Sequence, residues 1–219
     1  MATLGDMIAR TRRALGDPGG EEPLYSDELL FDGVLEALIV ILPWVSKENT
    51  YEITGDGATF EFELPSDFTE VEAVWSESLQ QFLPKAGLFP GATWLNGESS
   101  TSDVNMWLEY PHNYLSFSSA PLSEEIIKVF YASYWGAPED EDDELEVPAF
   151  ALPGIMYYTA AYCLTPKAAQ SANVRQYGTK VDSGVPIHNP VADMAKFLLY
   201  RFEAEMNRCP IRQRGQQTR

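Results

Sequence analysis

The chain has 219 residues, 45% of them apolar, with 15 basic residues against 33 acidic and a net charge of −18. That length can bury one sizeable core or two small ones, and the longest apolar run, Val34 to Val45, is broken by Glu36 and Pro43 and is too short to cross a bilayer. So acidic a chain repels nucleic acid, whose capture needs cations that displace counterions, which disfavours a conventional DNA-binding role.

The N-terminus lacks a basic-then-apolar leader, so no secretion signal and no membrane are expected. The two cysteines, Cys163 in an apolar helical pattern and Cys209 near the C-terminus, form neither a disulfide framework nor a paired metal motif, which fits folding in a reduced cytoplasm.

In chain order, Ala2 to Leu15 reads as a helix with Thr3 as its cap, Leu4, Met7, Ile8, Thr11 and Leu15 on one side, and Arg10, Arg12 and Arg13 toward the negative end of the dipole. Gly16 to Gly20 ends it. Ser26 or Tyr25 then caps a second helix carrying Leu29, Leu30, Val34, Leu38, Ile41 and Leu42, which stops near Pro43.

From about Thr50 the apolar period changes from 3.6 to 2. Strands are expected at Tyr51–Thr54, Thr59–Leu64, Glu70–Trp75, Leu79–Leu83, Val104–Glu109, Tyr114–Phe117 and Ile126–Tyr134, with Gly55-Asp56-Gly57 turning the first two into a hairpin. Sixteen of the 27 aromatic residues lie between 51 and 135, so this region either has an aromatic-rich core or offers aromatics to a partner.

Residues 139–146 hold seven carboxylates in eight positions. The spacing of a calcium loop is missing, and so dense a block reads as a solvated loop rather than a metal site. Pro148 and Pro153 mark the start of a third helix, ending at Thr165-Pro166, and a fourth runs from Lys167 to Tyr177. Asn189-Pro190 starts a fifth, whose stripe is Val191, Met194, Ala195, Leu198, Leu199, Phe202 and Met206.

Residues 207–219 carry Arg208, Arg212, Arg214 and Arg219 and no acid, leaving −22 on the preceding 206 residues. With Ile211 as its sole large aliphatic side chain, this tail cannot repay its own ordering entropy and is expected to order on a partner.

Catalytic chemistry lacks its parts. His112 and His188 form no metal-binding pattern, Gly91 to Gly97 lacks the ending of a phosphate loop, and Asp182-Ser183-Gly184 lacks a nucleophile elbow. No cofactor, metal or catalytic residue is therefore assigned.

Four landmarks carry a resemblance. They are Leu4 to Asp17 at the N-terminus, Ser26 to Leu30 opening the second helix, Leu64-Pro65-Ser66-Asp67-Phe68 entering the sheet, and Lys180 to Pro190 leading into the last helix. In this order they resemble the head-to-tail connector (adaptor) proteins of tailed bacteriophages. The resemblance implies a structural virion protein at the neck, assembled in the host cytoplasm. It implies a homo-oligomeric ring, commonly a dodecamer, that meets a portal protein on one face and a tail or neck protein on the other. DNA would pass through its channel without specific binding. Either the acidic body lets DNA slide, or it serves solubility alone. The composition of the tail suits a clip onto the portal built from Arg208, Ile211, Arg212, Arg214 and Arg219; contact with DNA and a merely solubilising end are the other readings.

The expected fold is α+β: a mainly helical bundle of about five helices from residues 1–49 and 136–206, an antiparallel β domain inserted at 50–135, and a flexible tail at 207–219. The rival function is a carbohydrate-binding module that stacks sugars on Trp75, Trp94, Trp107 and Tyr110.

Overall fold

A computed structural model of the chain describes residues 2–20, 23–86, 106–110, 113–179 and 189–208. They divide into two compact units, Met1–Ser46 with Trp135–Arg219, and Lys47–Tyr134.

The first unit is helical. α1 (Leu4–Leu15) starts with a capping box: the Asp6 N–H donates to Thr3 Oγ1 at 3.1 Å, and the Thr3 N–H donates to the Asp6 carboxylate at 3.4 Å. Such a cap is worth about 1 kcal/mol. Gly16, at φ 67°, closes the helix in the left-handed conformation that glycine adopts without a steric penalty. α2 (Asp27–Val40) begins where Ser26 Oγ accepts from the Leu29 N–H. α3 (Leu152–Thr179) and α4 (Pro190–Met206) complete the unit. Asn189 caps α4 by accepting from Val191 and Ala192, and Pro190 occupies the first turn, where its missing N–H costs no bond.

α3 packs against α1, α2 and α4. The core joins Leu4, Met7 and Ile8 to Leu30, Val34 and Ala37, to Ile155, Ala160 and Cys163, and to Leu198, Phe202 and Met206. Gly33 lets α2 approach closely: a Cβ there would stand 3.0 Å from Thr159 Cγ2 and 3.1 Å from Tyr162 Cδ1.

The second unit is all β; its named strands pair antiparallel, and one isolated parallel bridge joins Lys85 to Trp107. One sheet has the order β1-β7-β3-β4, from β1 (Lys47–Thr54), β7 (Ile126–Ser133), β3 (Phe68–Ser76) and β4 (Gln81–Phe82). The other has the order β2-β6-β5, from β2 (Glu61–Glu63), β6 (Tyr114–Phe117) and β5 (Trp107–Tyr110). Both contribute to one core, in which Ile53, Val71, Val74, Ile127 and Val129 meet Trp107, Leu115 and Phe117.

The expected five-helix bundle with an inserted β domain is therefore corrected. The described residues form four helices and seven strands in two antiparallel sheets, a mixed α+β fold whose β part has its own core. The helices expected before Pro166 and after Lys167 are one, because a proline removes a single backbone bond and neighbouring contacts hold the turn that follows it. Thr165 Oγ1 donates to the Ala161 carbonyl at 3.0 Å, Lys167 Nζ donates to the Leu24 carbonyl at 2.9 Å while lying 3.7 Å from the Tyr25 ring centroid, and Asn189 Nδ2 donates to the Ala168 carbonyl at 3.0 Å.

The expected hairpin is also absent. β1 pairs with β7 and β2 with β6, so Gly55-Asp56-Gly57 joins two sheets rather than two neighbouring strands.

Candidate partner-binding surfaces

The C-terminal end of α4 positions the start of the basic tail. The Asn207 N–H donates to the Glu203 carbonyl at 2.9 Å, and Trp44 Nε1 donates to Asn207 Oδ1 at 3.4 Å, which holds the helix end against the segment that follows α2. Trp44 and Tyr158 both meet Phe202 edge-on, with centroids 5.7 and 5.3 Å away. Beyond this anchor, the Arg208 guanidinium lies 3.1 Å from Glu205 and is 73% exposed. An exposed pair of this kind is worth at most about 1 kcal/mol, so Arg208 can exchange Glu205 for a partner's carboxylate. Ile211, Arg212, Arg214 and Arg219 lie outside the described residues, as do His112, His188, Trp94, residues 91–97 and Asp182-Ser183-Gly184.

The stripe read along α4 is only partly inward. Ala195, Leu198, Phe202 and Met206 are buried, but Met194 and Leu199 are exposed, together with Phe197 and Tyr200. One 17-residue helix thus shows four large apolar side chains to its surroundings.

The acidic run is more ordered than a solvated loop. The Leu4 N–H donates to the Asp143 carbonyl at 3.0 Å, the Gly5 N–H to the Glu141 carbonyl at 2.8 Å, and the Leu145 N–H to the Ala2 carbonyl at 2.9 Å. The run is therefore tied to the first turn of α1, where negative charge is favoured by the helix dipole. The Asp143 carboxylate accepts from the Asp140 and Glu139 N–H groups, and these bonds lower its pKa. Among the described residues no group of three or more His, Cys, Asp or Glu could hold a metal ion.

The aromatic residues of the β unit divide between core and surface. Trp107 is 1% exposed and donates its Nε1–H to the Leu83 carbonyl at 2.9 Å, so it has no face to offer a sugar. Trp75 is half-buried and meets Phe82 edge-on at 5.0 Å; Phe82 in turn lies 6.2 Å from Phe130. Edge-on rings make a poor stacking platform.

Two polar networks are structural. Arg12 bridges Asp17 and Asp27 and donates to the Tyr25 carbonyl at 3.0 Å, while Asp17 also accepts from the Gly19 and Leu24 N–H groups. In the β unit, Asn49 Nδ2 donates to Asp67 and to Ser133 Oγ, and the Tyr131 hydroxyl donates to Asp67. Neither network was anticipated from the sequence; Arg12 was read there only as a helix-dipole cation.

No protein-family model matches the chain, and no curated protein matches it. Its own charge distribution is informative: residues 147–219 carry nine basic side chains against four acidic, a balance of +5 that leaves −23 on residues 1–146. A molecule with opposite charge on different segments can attract its own copies, or another protein, in a directed way.

Proposed function

We propose that this chain is a head-to-tail connector of a tailed bacteriophage, a structural protein that forms a ring beneath the portal, joins capsid to tail and extends the DNA conduit. The observation that carries this reading is the ordered set of landmarks, from Leu4 to Asp17 through Lys180 to Pro190, that resembles those connectors.

Three further features support it. α1 and α4, which bear or follow the outermost landmarks, share one core although they lie at opposite ends of the chain. Four large apolar side chains on α4 are exposed and suit protein contacts. The basic tail starts from an anchored helix end with an exposed arginine. In a ring, many weak copies of such contacts add through avidity, so no single one needs to be strong.

The carbohydrate-binding alternative loses one of its platforms with the burial of Trp107. Mixing the purified protein with portal and with immobilised oligosaccharides separates the two: co-sedimentation with portal is expected, and retention on sugar without it would overturn the connector reading.

A further inference from the structure

The place where the basic tail leaves the fold is fixed. Asn207 is held by Trp44, which follows the C-terminal end of α2 by four residues, and Trp44 and Tyr158 meet Phe202 from two sides. Glu36 lies close to this group: burial first, and then the charge of Glu36, raise the pKa of the Tyr158 hydroxyl. The tail therefore starts beside the C-terminal half of α2.

The outward face of α2 is unlike any other helix face of the chain. Glu28, Asp32 and Glu36 recur every four residues and are exposed, the helix contains no Lys, Arg or His, and these three carboxylates have no ion-pair partner among the described residues. Ile39 stands three residues beyond Glu36 on the same face, 54% exposed, at the end nearest Trp44. Read away from Trp44, the face thus presents one aliphatic side chain and then three carboxylates. The tail beyond Asn207 has a matching order. Arg208 is engaged with Glu205, and after it come Ile211, then Arg212, Arg214 and Arg219, with no acid.

We infer that residues 209–219 bind along the outward face of α2 of their own chain, with Ile211 on Ile39 and Arg212 and Arg214 beside Glu36 and Asp32. The lengths agree. From Ile39 back to Glu28 the helix rises about 16 Å, and the twelve residues after Asn207 can span up to about 40 Å. Arg212 and Arg214 stand about 7 Å apart on an extended chain, against about 6 Å between Glu36 and Asp32 along the helix axis. Exposed ion pairs are individually weak, but the anchor at Asn207 makes the encounter intramolecular and the local concentration of the tail high. The contact is an autoinhibitory one: the arginines reach another protein only by leaving α2. It concerns the free chain and does not rest on the connector reading.

Trypsin cleaves after arginine, so the rate of cutting between Arg214 and Gly215, followed by mass spectrometry, reports whether the tail is covered. Three full-length proteins are compared at low salt: wild type, an α2 variant (Glu28→Gln, Asp32→Asn, Glu36→Gln), and a control with as many exposed acids neutralised elsewhere (Glu61→Gln, Glu63→Gln, Asp142→Asn). The α2 variant should be cut several-fold faster than wild type and the control at the wild-type rate. The difference should vanish at about 1 M salt, where the screening length is about 3 Å. Should the α2 variant misfold by circular dichroism, Ile211→Ser leaves the helix untouched and should give a similar acceleration. Equal rates in wild type and these variants, or equal acceleration in the α2 variant and the control, would overturn the inference. Protection that appears only as protein concentration rises would also overturn it, because the tail would then lie on another copy. No portal enters these measurements, so their failure leaves the connector reading to its own test.

Discussion

The carbonyl oxygen of Leu122 lies 2.2 Å from the point where a Cβ on Gly55 would stand. The two segments are bonded in both directions, from the Gly55 N–H to the Glu125 carbonyl at 2.8 Å and from the Glu124 N–H to the Gly55 carbonyl at 2.9 Å. Gly55→Ala must push this loop apart and is expected to cost about 1–3 kcal/mol, read as a lower urea midpoint of the β unit. An unchanged midpoint would contradict the close approach.

The same glycine shows where the sequence misleads. Gly55-Asp56-Gly57 between two alternating runs is a strong local turn signal, and a turn forms: Asp56 accepts from the Ala58 and Thr59 N–H groups and the Thr59 hydroxyl, which hold its pKa at about 2. Which strands pair is decided by residues far along the chain, since Tyr51 faces Val129 and Phe62 faces Leu115. Helix starts were legible because Thr3, Ser26 and Asn189 act within three residues of themselves. The continuity of α3 through Pro166 was not, because Lys167 and Asn189 hold that turn through residues distant in sequence. Of the tail residues singled out, Arg208 is exposed at the helix end; the exposure of Met194, Phe197, Leu199 and Tyr200 on α4 emerged only once the packing on α3 showed which face was covered.

Asp17 gives a prediction about acid. Burial alone would raise its pKa, but bonds from the Leu24 and Gly19 N–H groups and the charge of Arg12 outweigh burial and set it below the ordinary 3.8. The unfolded chain then binds this proton more readily than the folded one, so the stability from Asp17 is complete above about pH 4–5 and is lost as pH falls through its folded-state value. Asp17→Asn should cost about 1–3 kcal/mol at neutral pH, with the gap to wild type shrinking as the solution is acidified. A gap that stays constant from neutral to strongly acidic pH in urea titrations would contradict the role given to this carboxylate.

Cys163 should be unreactive while the protein is folded. It is fully buried, and desolvation pushes its thiol up to about 11, leaving very little thiolate near neutral pH. In a Cys209→Ser protein, a thiol reagent at about pH 8 should label Cys163 only at the rate of unfolding. Immediate stoichiometric labelling would show that the α2–α3 contact opens far more readily than its packing implies.

The basic tail should matter for joining rather than for folding. Truncation after Asn207 removes Arg208, Ile211, Arg212, Arg214 and Arg219 and keeps both the buried face of α4 and the Trp44–Asn207 anchor, so helical circular dichroism should be unchanged. Co-sedimentation with portal should fall and become more sensitive to salt, because charge-assisted contacts are lost. Undiminished joining would reject the clip, and joining that survives while packaged DNA leaks would assign the arginines to DNA.

A place at the neck of the particle is tested most directly by imaging. Electron microscopy of phage particles carrying a tagged copy of this chain should show the tag as a ring at the neck, between the portal and the tail. Particles that lack the tag, or that carry it elsewhere on the capsid or tail, would contradict the account.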